Sequence, residues 1–229
     1  MKTLILNKQE CEDIDKIIDK LIKHNIKTPV HREGAYIKEL SFSAWTNIHK
    51  YWLIDNNIFF NSGASKMVFI AHSIKNWVIK VPFLFSEKTS TGSRSLLNAC
   101  KTEAEVYEKA VANGVDKYFA PMFYYKTVDG IPFYLQRKAE CEIDRVTDTV
   151  YEYVSNTHKR EFFDSDEDYE DTINFEIDAM SDEDALCAFF NGWKNELMDF
   201  LDEYEVNDFH PGNFGFINNE PVLIDYSGY

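Results

Sequence analysis

Asn207-Asp208-Phe209-His210-Pro211-Gly212-Asn213, followed by Ile224-Asp225-Tyr226-Ser227-Gly228, is the stretch on which the reading of this chain turns. It sets an acid, an imidazole, a Pro-Gly turn and an amide inside six positions, and a second acid follows 12 residues after Asn213. Between them, Phe214-Gly215-Phe216-Ile217 and Pro221-Val222-Leu223-Ile224-Asp225 read as two short strands across Asn218-Asn219-Glu220. That hairpin is expected to fold Asp225 back over the loop. Asp208 then offers a carboxylate to orient an attacking hydroxyl, Asn213 an amide oxygen, and Asp225 a second carboxylate. Mg²⁺ takes hard oxygen donors, commonly one or two carboxylates with phosphate oxygens and waters. The set therefore suits phosphoryl transfer from ATP.

Upstream, residues 185–204 read as one amphipathic helix, with Leu186, Phe189, Phe190, Trp193, Leu197 and Phe200 at helical spacing. Residues 161–193 hold 12 acidic residues and no Lys or Arg. They read as a solvated loop with the polar start of a helix, the alternative being a cation-attracting surface. Asp129-Gly130 between Phe123–Val128 and Ile131–Leu135 is a hairpin signature. Ala99, Glu103, Val106, Tyr107, Ala110 and Val111 give helical spacing over 98–113, closed by Asn113-Gly114. Residues 86–95 are polar and read as a loop. Phe59 to Val81 reads as two or three antiparallel strands. Ile14, Ile17, Ile18, Leu21 and Ile22 mark a packing helix ended by Thr28-Pro29. The expected class is α+β. A helical extension covers 1–50, a sheet-bearing part 51–138, and a mostly helical part 139–229.

Asp208-x-His210-Pro211-Gly212-Asn213 with Ile224-Asp225 downstream resembles the catalytic and metal loops of the protein kinase-like superfamily. It is most similar to the aminoglycoside and choline kinase branch and to small kinase-like proteins of bacteria and their phages. Asp225-Tyr226-Ser227-Gly228 stands where protein kinases carry Asp-Phe-Gly. The resemblance implies a two-lobed fold, with an antiparallel N-lobe sheet and a minimal, mostly helical C-lobe. It makes Asp208 the catalytic base and Asn213 and Asp225 the Mg²⁺ ligands. Asn61 to Val68 aligns with the glycine-rich phosphate loop, of which Gly63 alone is kept; backbone N–H groups from Gly63, Ala64, Ser65 and Lys66 would meet phosphate oxygens. Trp77-Val78-Ile79-Lys80 resembles the strand whose lysine holds the α- and β-phosphates. Helix register favours Glu103 over Glu105 as the partner of Lys80. Gln136-Arg137-Lys138 falls at the hinge, where the base meets the backbone, so Gln136 and Lys138 complete the expected nucleotide contacts. Val206 and Asn207 depart from the residues the family carries before its aspartate. The resemblance spans roughly residues 57–229. No counterpart of the family's acceptor-binding helices follows Gly228, so residues 139–205 or a partner are expected to supply the acceptor side.

Composition narrows the partners. Apolar residues make up 45% and aromatic residues 15%, enough for a packed core and against a disordered chain. The net charge of −15 opposes a duplex-binding protein, so direct nucleic-acid binding is not expected. The four cysteines form no C-x-x-C, which disfavours a zinc knuckle and fits a reducing cytoplasm. No signal peptide or membrane span is legible. Three functions stay open: an ATP- and Mg²⁺-dependent phosphotransferase (or AMP transferase) acting on an unknown acceptor; a catalytically inactive kinase-like binding or inhibitor module; and an acidic decoy for a nucleic-acid-binding protein.

Overall fold

The computed structural model describes residues 6–24, 51–62, 65–83, 86–89, 92–95 and 98–226. They form an α+β protein whose chain divides into two compact units. The first takes in Met1–Tyr107 and Pro121–Lys138, the second Glu108–Ala120 and Ala139–Tyr229.

The first unit is built on a five-stranded antiparallel sheet. Its strands are β1 (Ile58–Ser62), β2 (Lys66–Ala71), β3 (Trp77–Pro82), β6 (Met122–Val128) and β7 (Ile131–Arg137), in the order β1-β2-β3-β7-β6. Asp129 and Gly130 join β6 to β7 with φ of 50° and 79°, the left-handed pair that a two-residue hairpin needs. Alternation sorts the side chains onto two faces. One face carries Met67, Phe69, Ile79, Val81, Phe133 and Leu135, which pack with Ile14, Ile17, Ile18 and Leu21 of the Lys8–Lys23 helix. That helix starts in a capping box between Asn7 and Glu10. It is tied to the sheet by polar contacts as well. Glu10 accepts from Trp77 Nε1 (3.1 Å), and Asp15 accepts from Tyr125 Oη (2.8 Å) and Lys126 Nζ (2.7 Å). The helix ends at Lys23, ahead of Thr28-Pro29, and His24 stacks on Trp52 with ring centroids 3.9 Å apart. Thr28-Pro29 itself lies outside the described residues.

Residues 86–95 differ from expectation. They hold β4 (Ser86–Thr89) and β5 (Gly92–Ser95), paired antiparallel in register Ser86↔Ser95. Their sequence has no apolar alternation to announce a strand, and the backbone pairing alone makes them one.

The second unit is mostly helical, with helices Ile143–Thr157, Asp166–Asp178, Asp182–Phe189 and Asn195–Glu203. Two further corrections fall here. The acidic segment is not chiefly loop. Ser165-Asp166-Glu167-Asp168 and Ser181-Asp182-Glu183-Asp184 each open a helix, with the serine hydroxyl accepting the N–H of the aspartate three residues on. The single helix expected over 185–204 is two helices. Asn191 and Gly192 adopt φ of 52° and 106° and break it. Strands β8 (Phe214–Ile217) and β9 (Glu220–Leu223) form the expected hairpin, turned by Asn218 and Asn219 at φ of 53° and 69°. Phe189 stacks on Phe214 at 4.5 Å, and Phe119 meets both Phe200 and Tyr226 edge-on, so aromatic contacts join the aliphatic side chains in the core of this unit.

Candidate functional site

In the first unit the sheet face opposite the Lys8–Lys23 helix carries buried polar and charged side chains. Val68 pairs with Lys80 across β2 and β3, and Lys80 pairs with Tyr134 across β3 and β7. The next row along holds Val78 opposite Gln136, and Phe59 opposite Ile70. All six residues of β3 are buried, so a lysine at position 80 has no water to turn to. Glu103, from the Ala99–Asn113 helix, meets it: Lys80 Nζ donates to both carboxylate oxygens at 3.1 Å, and Glu103 is fully buried. Glu105, two residues on, is exposed and sits 3.4 Å from Lys101. Lys66 also donates to Glu103 Oε1, at 2.8 Å, which sequence reasoning did not foresee. Burial pushes the Tyr134 phenol up to about 12, so it stays neutral beside the lysine.

Of the expected phosphate-loop residues, Gly63 and Ala64 lie outside the described residues. Ser65 and Lys66 are buried. Gln136 is buried, and Lys138 is exposed. The Lys138 N–H is donated to Asn76 O (2.9 Å) and the Arg137 N–H to Pro121 O (2.7 Å), so neither is left for a nucleotide base. The Lys138 side chain lines a cavity of 540 Å³ with Asn57, Phe59, Ile70, His72 and Lys75.

In the second unit the Asp208–Asn213 loop is held from within. The Asn213 amide nitrogen donates to the Asp208 carbonyl at 2.9 Å. This spends the amide's donor end and leaves its oxygen as the end for a cation. His210 Nδ1 accepts the Gly212 N–H at 3.1 Å, so the ring caps the short turn Pro211–Asn213. Its Nε2 stands 3.7 Å from Asp208 Oδ1, beyond hydrogen-bond reach. A Cβ at Gly212 would lie 2.8 Å from the His210 ring, which is why glycine suits that position. Val206, where the resemblance leads one to look for a loop-bracing side chain, is buried.

The hairpin brings Asp225 to this loop. Phe214 pairs with Leu223, and Ile224 N–H donates to Asn213 O at 2.9 Å, so Asp225 is one residue beyond the partner of Asn213. Behind it Tyr226 is fully buried and donates to Ala120 O at 2.6 Å. Asp208 and Asp225 are both half-buried. Among the described residues no group of three or more His, Cys, Asp or Glu forms a metal cluster. A cation here would rest on Asn213, Asp225 and its own ligand's oxygens, a donor set that suits Mg²⁺ better than zinc. No described helix is long and apolar enough to cross a membrane.

No protein-family model matches this chain, and no curated protein is similar to it at a significant level.

Proposed function

We propose that the protein is a kinase-like phosphotransferase that binds ATP with Mg²⁺, the two units being the two lobes of a protein kinase-like fold with a minimal C-lobe. The observation that carries the reading is the buried Lys80–Glu103 pair. A lysine in a fully buried strand, held by a glutamate of the following helix and flanked by Val68 and Val78, is costly as packing and apt as a phosphate clamp. The antiparallel sheet with the Ala99–Asn113 helix after β3 is what the resemblance implies for an N-lobe.

Each residue then has a task. Lys80, aligned by Glu103, binds the phosphates. Asn213 and Asp225 would hold Mg²⁺, whose charge offsets that of the phosphates when bound. Asp208 orients the acceptor hydroxyl and takes its proton. His210 braces the loop as a cap and is not the base. The same carboxylates would serve AMP transfer, and the acceptor is a small molecule or a protein presenting a hydroxyl. A protein that contacts partners through this fold without catalysis is the competing account. Thermal melts with and without Mg·ATP, and turnover of radiolabelled ATP, separate the two. The wild type should gain several degrees with Mg·ATP. Asp208→Asn should keep that gain and lose turnover, and Asp225→Asn should lose the Mg²⁺-dependent part of the gain. Equal ATP affinity with and without Mg²⁺, and no effect of either substitution, would leave the binding module as the better account.

A further inference from the structure

The sequence reading gives Lys66 only a backbone contact, yet its side chain is buried against the same carboxylate as Lys80. We propose that Lys66 is a second phosphate-binding side chain, which shares Glu103 with Lys80 and grips the polyphosphate of a nucleoside di- or triphosphate from the loop side. The proposal rests on the nucleotide-binding reading above.

Three observations carry it. The first is placement. Lys66 lies two residues before Val68, the cross-strand neighbour of Lys80, so both lysines point to one face of the sheet. Both nitrogens bond Glu103 Oε1, which keeps them within about 6 Å of each other, a span that oxygens of adjacent phosphates can bridge. The second is electrostatic cost. Lys66 is 2% exposed, Lys80 4% and Glu103 0%. Three desolvated charges are a poor way to pack a sheet against a helix, where an apolar trio of the same volume is as stable or more so. Two lysine nitrogens side by side on one carboxylate oxygen suit a ligand bearing several negative charges. The third is the loop itself. Of its glycines only Gly63 is kept, and Lys66 stands in the segment at the point where β2 begins. Ser65 O accepts from Phe83 N–H at 2.9 Å, which pins the start of β2 and fixes where the Lys66 side chain emerges. A side-chain cation there takes over part of a contact that the loop's glycines would otherwise make through backbone N–H groups.

The test compares ADP with adenosine, which differ in the phosphates alone. Both are titrated in the presence of Mg²⁺ into the full-length wild type, Lys66→Met, Lys66→Arg and Lys80→Met, with binding read by calorimetry. Lys66→Met should lower the preference for ADP over adenosine by about 10- to 100-fold, the worth of one charge-assisted hydrogen bond, while adenosine affinity stays within about threefold. Lys66→Arg should restore most of that preference. Lys80→Met should show a similar loss. Adenosine binding reports the fold of each variant, and Lys66→Gln, which removes the charge and keeps a polar donor, replaces the methionine variant if that one does not fold. An unchanged ADP-to-adenosine ratio in Lys66→Met or Lys66→Gln overturns the proposal and leaves Lys66 as a support for Glu103 alone. A wild type that binds neither ligand overturns the nucleotide-binding reading and this proposal with it, a result distinct from a wild type that binds while the Lys66 variants match it.

Discussion

Glu103→Ala isolates the energetics of the buried cluster. The substitution removes a carboxylate to which both Lys66 and Lys80 donate, at 2.8 Å and 3.1 Å. Each ammonium is almost wholly out of water, so neither regains solvation when its partner is deleted. Breaking one buried pair in this way costs about 3–5 kcal/mol. For a chain of this length a loss of 1 kcal/mol lowers the melting temperature by about 2–4 °C, so the variant should melt about 6–20 °C below the wild type. Two controls fix the cause. Glu105→Ala removes an exposed carboxylate 3.4 Å from Lys101 and should cost less than about 0.5 kcal/mol. The triple variant Lys66→Met, Lys80→Met, Glu103→Leu removes all three charges at similar volume and should recover to the wild-type value or exceed it by about 1–4 kcal/mol. Urea denaturation at neutral pH, with a thermal scan beside it, measures all three. A Glu103→Ala cost below about 1 kcal/mol, or a triple variant as unstable as the single one, would refute the claim that the charges are desolvated and mutually dependent.

Three further outcomes follow from contacts elsewhere. Tyr226→Phe removes the bond to Ala120 O and leaves that buried carbonyl short of a donor, for an expected loss of about 1–3 kcal/mol in urea melts. Gly215→Ala places a Cβ 3.0 Å from Ala139 Cβ and 3.1 Å from Glu140 O, where the backbones of β8 and residues 139–141 meet; about 1–3 kcal/mol should be lost, and exchange of the Glu140 and Phe216 amides should quicken. Glu10 is held below the ordinary glutamate range by the Asn7 N–H first, then by Asn76 and Trp77, against an opposing effect of burial. A lowered folded pKa contributes stability that is present above about pH 4.5 and fades as pH falls through the folded value, so Glu10→Gln should trail the wild type at neutral pH and converge with it in acid; curves that stay parallel across pH would count against the Glu10 contacts.

The elements that could be read from the sequence are those whose pattern is local. Asp129-Gly130 and the Ile14–Leu21 stripe state their geometry in a few residues, and the structure has a hairpin and a helix there. Glu103 could be chosen over Glu105 because the 3.6-residue period puts one on the face of Tyr107 and the other away from it. Other features carry local signals of their own. The two Ser-Asp-Glu-Asp stretches are N-cap sequences, and Asn191-Gly192 is a helix stop. The polar strands β4 and β5 carry no periodic signal at all. Lys66 is a different case. Nothing local separates a lysine at a strand start from one facing water, and its burial depends on a carboxylate 37 residues away.

The acidity of the chain changes meaning once the helices are seen. Of 39 acidic residues, 12 fall between Glu161 and Trp193, which leaves 24 Lys and Arg against 27 acids (39 − 12) over the remainder. The net charge of −15 is thus largely a property of one segment. Six of those 12 residues are Asp166, Glu167, Asp168, Asp182, Glu183 and Asp184, all in the first turns of two helices. There a carboxylate lies at the positive end of the helix dipole, a favourable place for negative charge. Half of the acidic run therefore has a structural reason to exist that requires no partner. A decoy for a basic surface would draw its support from that same charge, and half of the support is already accounted for by helix starts. The Lys66–Lys80–Glu103 cluster is buried, where charges are costly. Between the two charge concentrations in this chain, the small buried one is the better guide to function.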